Sequence, residues 1–405
     1  MSLALLPGFG CATPTRWVGV WSTAPIEEAT PAELQAGGGL VLRQVVRISN
    51  GAETVRLRLS NEYGSEALVL EDVTVAEAQA GGSIVSRTLQ PVRFSGRPLA
   101  AVPPHSVLYS DPLPFRVAAH ADLAVTARLV SLPGKVAGHP GSRTTSYLKQ
   151  GASTADGVLN GATRIVHWYF VSGIESLTGG TGGAAVACLG DSITDGYGCL
   201  PDQNLRWTDA YSRRLRTDPA TADVSVLNLG IGGGRLLRQG NGPSGLSRLD
   251  RDVFSQAGVK WVIVQLGVND LGTRINARAA GQAFASAGDL IEGYQRVLEA
   301  CRAHGVRVAL ATITPFAAAE WYSTPDIEAD REAVNQWIRE RAPCDAVADF
   351  DAALRDPDHP TVLLPTFDSG DHLHPSMAGY RRMAESVPEG FLLNTRGLAR
   401  PPGRD

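Results

Sequence analysis

The sequence lacks any apolar run near the roughly 18 residues that would read as a membrane-spanning helix. It also lacks a basic balance. Lys and Arg number 37 against 41 Asp and Glu, a formal net charge of −4, whereas a nucleic-acid binder carries a basic face. Lysine itself is nearly absent, at Lys135, Lys149 and Lys260 alone, so the positive charge is almost all Arg. That bias belongs to composition and carries no functional meaning. Cysteines are few: Cys11, Cys188, Cys199, Cys301 and Cys344. None forms a C-x-x-C pair, and an odd number in a long chain is no disulfide framework. Cys188 and Cys301 sit in apolar patterns and read as small buried hydrophobes.

What is present is ordinary globular material. The chain has 405 residues, 43% hydrophobic and 19% charged. That is enough for a large core and, by length, for two or three domains. At the N-terminus, the stretch Leu3 to Leu6 has no Lys or Arg before it. It is therefore not a complete signal peptide, only a floppy tail or the stump of a trimmed one. Gly8-Phe9-Gly10 before Cys11 lacks the aliphatic residue of a lipoprotein signal.

The chain changes character near residue 180. From Trp17 to about Ser172 the pattern is short and alternating. Val45 to Ser49, Val55 to Ser60, Leu68 to Val75 and Leu123 to Leu129 read as strands, separated by turn signals such as Asn50-Gly51, Gly81-Gly82 and Pro103-Pro104. No helix-length pattern intervenes, so residues 17–177 predict an all-β sandwich or jelly-roll-like domain. Residues 1–16 are expected as a flexible tail, 178–183 as a Gly-rich linker and plausible hinge, and 391–405 as a C-terminal tail.

From Ala184 to about 390 strands alternate with helices. AAVACLG at Ala184 to Gly190 is a continuous apolar run, as buried parallel strands are. Val224 to Gly230, Trp261 to Gly267, Arg307 to Ile313 and Asp345 to Phe350 repeat it. Between them lie helical faces: Trp207, Tyr211 and Leu215; Leu290 through Cys301; Ile327 through Ile338; and Met377 through Val387. This alternation predicts an α/β fold with a doubly wound parallel sheet.

Such a sheet binds ligands outside the carboxyl ends of its strands. The residues there are small or polar: Asp191, Ser192 and Asp195 after the first strand; Gly232, Gly233 and Gly234 after the second; Asn269 and Asp270 after the third; Asp371, His372 and His374 before the last helix. A hydroxyl becomes a competent nucleophile when an imidazole takes its proton, and the imidazole works best when a carboxylate fixes its tautomer. The oxyanion that develops needs preorganised donors. The N–H groups of Ser192 and Gly233 and the amide of Asn269 are the candidates.

Four blocks carry a family resemblance: Gly190-Asp191-Ser192-Ile193-Thr194-Asp195-Gly196, Asn228-Leu229-Gly230-Ile231-Gly232-Gly233, Gly267-Val268-Asn269-Asp270 and Asp371-His372-Leu373-His374-Pro375. In this order they resemble the GDSL esterases and lipases, or SGNH hydrolases. The upstream Trp17-Val18-Gly19-Val20-Trp21 and Arg58-Leu59-Ser60-Asn61 resemble the β-rich extension of secreted bacterial members. The resemblance implies a flavodoxin-like hydrolase fold, no metal or organic cofactor, a small-molecule or carbohydrate ester as substrate, and a secreted or periplasmic location. It implies Ser192 as nucleophile, His374 as base, Asp371 as its orienter, and Ser192, Gly233 and Asn269 as the oxyanion hole. Short-chain or acetyl esters are the expected class. Gly234 departs from the pattern, which has Asn there.

Other readings compete. Asp191 to Asp195 and His372-Leu373-His374 mimic a metal-dependent phosphoesterase, but no D-x-H precedes the first strand and Val268 stands where that motif has His. Gly230 to Arg235 begins like a dinucleotide loop but ends in Arg. The β-rich half alone could be a carbohydrate-binding module. Gly-x-Ser-x-Thr is not the G-x-S-x-G of α/β-hydrolases. His372 rivals His374 as base, Asn269 is also a candidate helix cap, and Asp191 and Asp195 read as bonding local backbone N–H groups. The histidines at 105, 120, 139, 167, 304 and 359 have no motif partner and read as structural or surface.

Overall fold

The computed structural model describes residues 15–35, 38–179 and 183–393. The N-terminal stretch with Cys11, linker residues 180–182 and tail residues 394–405 lie outside the described residues. None of the described helices is long and apolar enough to cross a membrane.

The N-terminal region is antiparallel. One sheet pairs Arg16–Ser22 with Val171–Thr178, then Ala52–Asn61, then Ser106–Tyr109, with Leu113–Val117 also on Ala52–Asn61. A second, larger sheet centres on Leu40–Arg47, Asp122–Ser131 and Leu68–Glu77. Alternate residues of both sheets meet in one core. Val55, Leu57 and Ile174 come from the first, and Leu42, Leu70, Val75 and Val125 from the second. Side chains of period two thus build a sandwich. A small third sheet joins Ile26–Ala29, Lys135–His139 and Trp168–Tyr169.

The C-terminal region holds five parallel strands: β1 (Ala184–Gly190), β2 (Val224–Gly230), β3 (Val259–Gln265), β4 (Arg307–Ala311) and β5 (Ala346–Ala348). Their spatial order is β2-β1-β3-β4-β5, the flavodoxin-like arrangement. Helices include α1 (Ser192–Asp195), α2 (Trp207–Leu215), α3 (Val268–Gly272), α4 (Ala287–Ala303), α5 (Pro325–Glu340) and α6 (Met377–Ser386). Every residue of β1 is buried, as expected of a strand covered on both faces.

The two regions do not hang on a free hinge. Val18, Ala24 and Ile26 belong to the core of the parallel-sheet region, whereas Val20 and Trp21 belong to the sandwich core. A bulge between Gly19 and Trp21 lets one strand feed both. Gly19 N–H donates to the Ala257 carbonyl at 2.8 Å, and Val226 N–H to Ser49 Oγ at 3.0 Å. At the other end, Phe391 and Leu392 are buried in the parallel-sheet core, so packing extends past the expected end at 390.

Candidate active site

The site begins where β1 ends. Asp191 caps α1, its carboxylate accepting from Ile193 N–H at 2.9 Å, and Ser192 is the first helical residue. Its N–H is one that helix geometry leaves without an intrahelical acceptor. Gly190 and Gly230 let the helix sit on the strand ends, since a Cβ on Gly190 would strike Thr194 and one on Gly230 would strike the Asp195 backbone.

Ser192 Oγ lies 2.8 Å from His374 Nε2, and His374 Nδ1 lies 2.6 Å from Asp371 Oδ2. An ionised carboxylate only accepts, so Nδ1 carries the proton and Nε2 faces Ser192 as acceptor. Asp371 is held in turn by the N–H groups of His374 and Leu373, at 2.8 and 3.0 Å. Burial alone would raise its pKa, but these bonds and the imidazole hold it below the usual aspartate value. Burial lowers the pKa of His374; Asp371 opposes that shift and the charge of Arg143 adds to it. The rival His372 is exposed and bonds Asp368 Oδ2 through Nδ1 at 2.5 Å.

Gly233 sits at φ +69, a left-handed turn that a side chain would strain, and a Cβ there would also crowd Asn241. Asn269 does not cap its helix; Gly267, at φ +116, stands at the N-cap of α3. Its Nδ2 donates to the Gly234 carbonyl at 2.9 Å and its Oδ1 accepts from Tyr322 Oη at 2.7 Å. Because a carbonyl cannot donate, the first bond fixes which amide atom is nitrogen. One Nδ2 hydrogen remains uncommitted. At Gly234, where the family pattern has Asn, a Cβ would press on the Ile231 carbonyl.

Several residues here make bonds that the motifs do not announce. Asp270 accepts from Leu236 and Leu237 N–H at 2.7 and 3.0 Å, fastening the glycine loop; burial pushes its pKa up to about 6. Buried Arg248 donates to the carbonyls of Gly190 and Leu229, both at 2.7 Å, tying the ends of β1 and β2. Tyr197, just past the first block, lays its ring 4.1 Å from the His374 ring. Asp195 departs from its expected role. Its carboxylate accepts from His139 Nε2 at 3.0 Å, while His139 Nδ1 contacts the Ala24 carbonyl at 3.0 Å. His139 lies on Lys135–His139 of the β-rich region, so this pair spans the two regions. Asp191 fits its expected role and is pushed up to about 7 by burial. Arg206 and Trp207 are packing residues: Arg206 bonds the Asp195 and Ser142 carbonyls, and Trp207 is fully buried.

The residues that mimic a phosphoesterase are dispersed among these separate bonds. Among the described residues no group of three or more His, Cys, Asp or Glu is placed to hold a metal ion.

Residues 188–382 match the family model of GDSL-like lipase/acylhydrolase. Similar solved structures include a carbohydrate acetylesterase family member from Sinorhizobium meliloti, 17% identical over 50% of this chain and 94% of that one, TM-score 0.39. A lipase/acylhydrolase from Enterococcus faecalis is 19% identical over 50% and 92%, TM-score 0.37. The acetyl xylan esterase AlAXEase is 19% identical over 50% and 96%, TM-score 0.38. A search of curated proteins gave no match. Residues 188–382, which contain the Ser192–His374–Asp371 chain of hydrogen bonds, form a GDSL-like lipase/acylhydrolase domain.

Proposed function

We propose that the protein is a serine esterase that cleaves carboxylic esters through an acyl-enzyme on Ser192. The observation that carries this is the unbroken chain Ser192 Oγ, His374 Nε2, His374 Nδ1, Asp371 Oδ2, with links of 2.8 and 2.6 Å. His374 takes the hydroxyl proton as Ser192 attacks the ester carbonyl. The N–H groups of Ser192 and Gly233 and the free Asn269 amide hydrogen receive the oxyanion. His374 then protonates the departing alcohol, and a water activated by the same imidazole releases the acid.

The substrate read here is a short acyl ester, with an acetylated sugar as the leading candidate. A cavity of about 150 Å³ borders Ile231 and Gly232 and is lined in part by His139, Arg143, Asp195 and Asn241. The polar members of that wall offer a sugar hydrogen-bonding partners that a purely apolar wall would not.

Ser192→Ala should lower kcat on an aryl acetate by at least about 10³-fold, as loss of a nucleophile does. Its circular dichroism and melting temperature should stay near those of the parent. A folded variant with near-parental turnover would remove Ser192 from the mechanism.

A further inference from the structure

Among the segments that the β-rich region brings to the candidate site is the stretch His139 to Arg143. His139 is pinned to Asp195 and to the Ala24 carbonyl. At Gly141 the loop presses so closely on Asp195 that a Cβ would overlap its carboxylate. The Ser142 carbonyl accepts from Arg206, and the Arg143 carbonyl accepts from Asp202 N–H at 2.9 Å. The loop is therefore held on both flanks, and Arg143 is presented at φ +47, a backbone region that asparagine or glycine occupies more readily than arginine.

The guanidinium so presented is underused. Among the described residues it donates no hydrogen bond, and its Nε is buried without a partner. Asp195 is the nearest carboxylate, but its Oδ2 stands 3.9 Å from Nη2 and its Oδ1 is taken by His139. Arg143 lies 5.3 Å over the Tyr197 ring, whose other neighbour is the His374 ring. It also lines the 150 Å³ cavity with Gly232, next to the oxyanion glycine. Its charge is felt at His374. In acyl transfer the imidazole must meet the leaving oxygen, so what sits beside His374 meets the alcohol half of the ester. A planar fork of donors with no protein acceptor matches a carboxylate.

We propose that Arg143 is a specificity-determining residue that binds a carboxylate on the alcohol half of the ester, so that the preferred substrates are acyl esters of acidic sugars. This rests on the esterase reading above.

The test compares O-acetylated methyl glucuronide with O-acetylated methyl glucoside, with 4-nitrophenyl acetate as the control for the underlying reaction. The parent should favour the glucuronide in kcat/KM. In Arg143→Gln the glucuronide-to-glucoside ratio should fall about 10- to 100-fold, the scale of one charge-assisted hydrogen-bonded contact. Taking the ratio on one variant cancels any change in His374 basicity that both substrates share. Arg143→Lys should recover part of the preference, since it keeps the charge and loses the fork. Should Arg143→Gln not fold, competitive inhibition of the parent answers the same question: free methyl glucuronide should inhibit more tightly than methyl glucoside. A parent that cleaves 4-nitrophenyl acetate but shows no glucuronide preference overturns this proposal alone. A parent inactive on all three esters, or a Ser192→Ala variant active on them, overturns the esterase reading beneath it.

Discussion

In the proposed mechanism His374 must be neutral to accept the Ser192 proton, so its ionisation would set the acidic side of the pH profile. Burial and the charge of Arg143 lower its pKa more than Asp371 raises it. Activity is therefore lost by protonation only once the pH falls below the ordinary histidine value of about 6.5. The acid limb of kcat/KM should show an apparent pKa under that value. Asp371→Asn removes the opposing carboxylate, so the limb should move further down. The same variant leaves the tautomer unfixed, and kcat should drop by about 10³- to 10⁴-fold. An upward move of the limb would mean that Asp371 does not bear on this imidazole. The pair is legible in the sequence through the D-x-x-H block that the family resemblance supplies, not through any local geometry. Nothing local announced His139 or Arg143. Their partners are Asp195 and Tyr197, more than fifty positions away, and no motif spans that gap. His139 is structural, as its lack of a motif partner suggests, but its bond lands on Asp195 of α1.

Among elements, the strands buried on both faces were the most legible. β1 and β2 run over the residues that their apolar runs mark, Ala184–Gly190 and Val224–Gly230. The others lose their ends to specific bonds. β3 stops at Gln265, and Gly267 turns left-handed to start α3. β4 stops at Ala311, and Ile313 N–H leaves the sheet for Asn335 Oδ1 at 2.7 Å. β5 ends at Ala348 because Asp349 caps the next helix through Ala352 N–H. Helix α6 stops at Ser386, short of Val387, because the following Pro388 disfavours a helical conformation in the residue before it. A tight joint between elements is Gly230 under α1, where a Cβ would meet the Asp195 backbone. Gly230→Ala should therefore cost about 1–3 kcal/mol of stability, the scale of overpacking a tight contact, and should lower kcat by displacing Ser192. Denaturant melts and kinetics on one preparation would check both. A variant of parental stability would show that the helix can lift at no cost.

At the scale of the molecule, a sequence pattern that changes near residue 180 suggested two bodies on a linker, and the packing joins them. The pattern reports local periodicity, which does switch there. It does not report that Val18 and Val20, two residues apart, enter different cores. The bulge between Gly19 and Trp21 that allows this sits in a strand roofed by both regions, and it has a consequence for how amide protons exchange with solvent. Peptide hydrogens in a region that opens by itself exchange at the rate of that local opening, whereas those locked between two cores wait for the whole chain to unfold. Amides of Arg16–Ser22 should therefore show the protection of β1, an interior strand of the parallel sheet. Deuterium uptake by mass spectrometry would read this directly. Uptake in 16–22 that runs well ahead of 184–190 would mean that the sandwich can part from the hydrolase sheet while the latter stays folded. Uptake in step would make the first strand of the chain a clasp, its release and the loss of the catalytic fold being a single event.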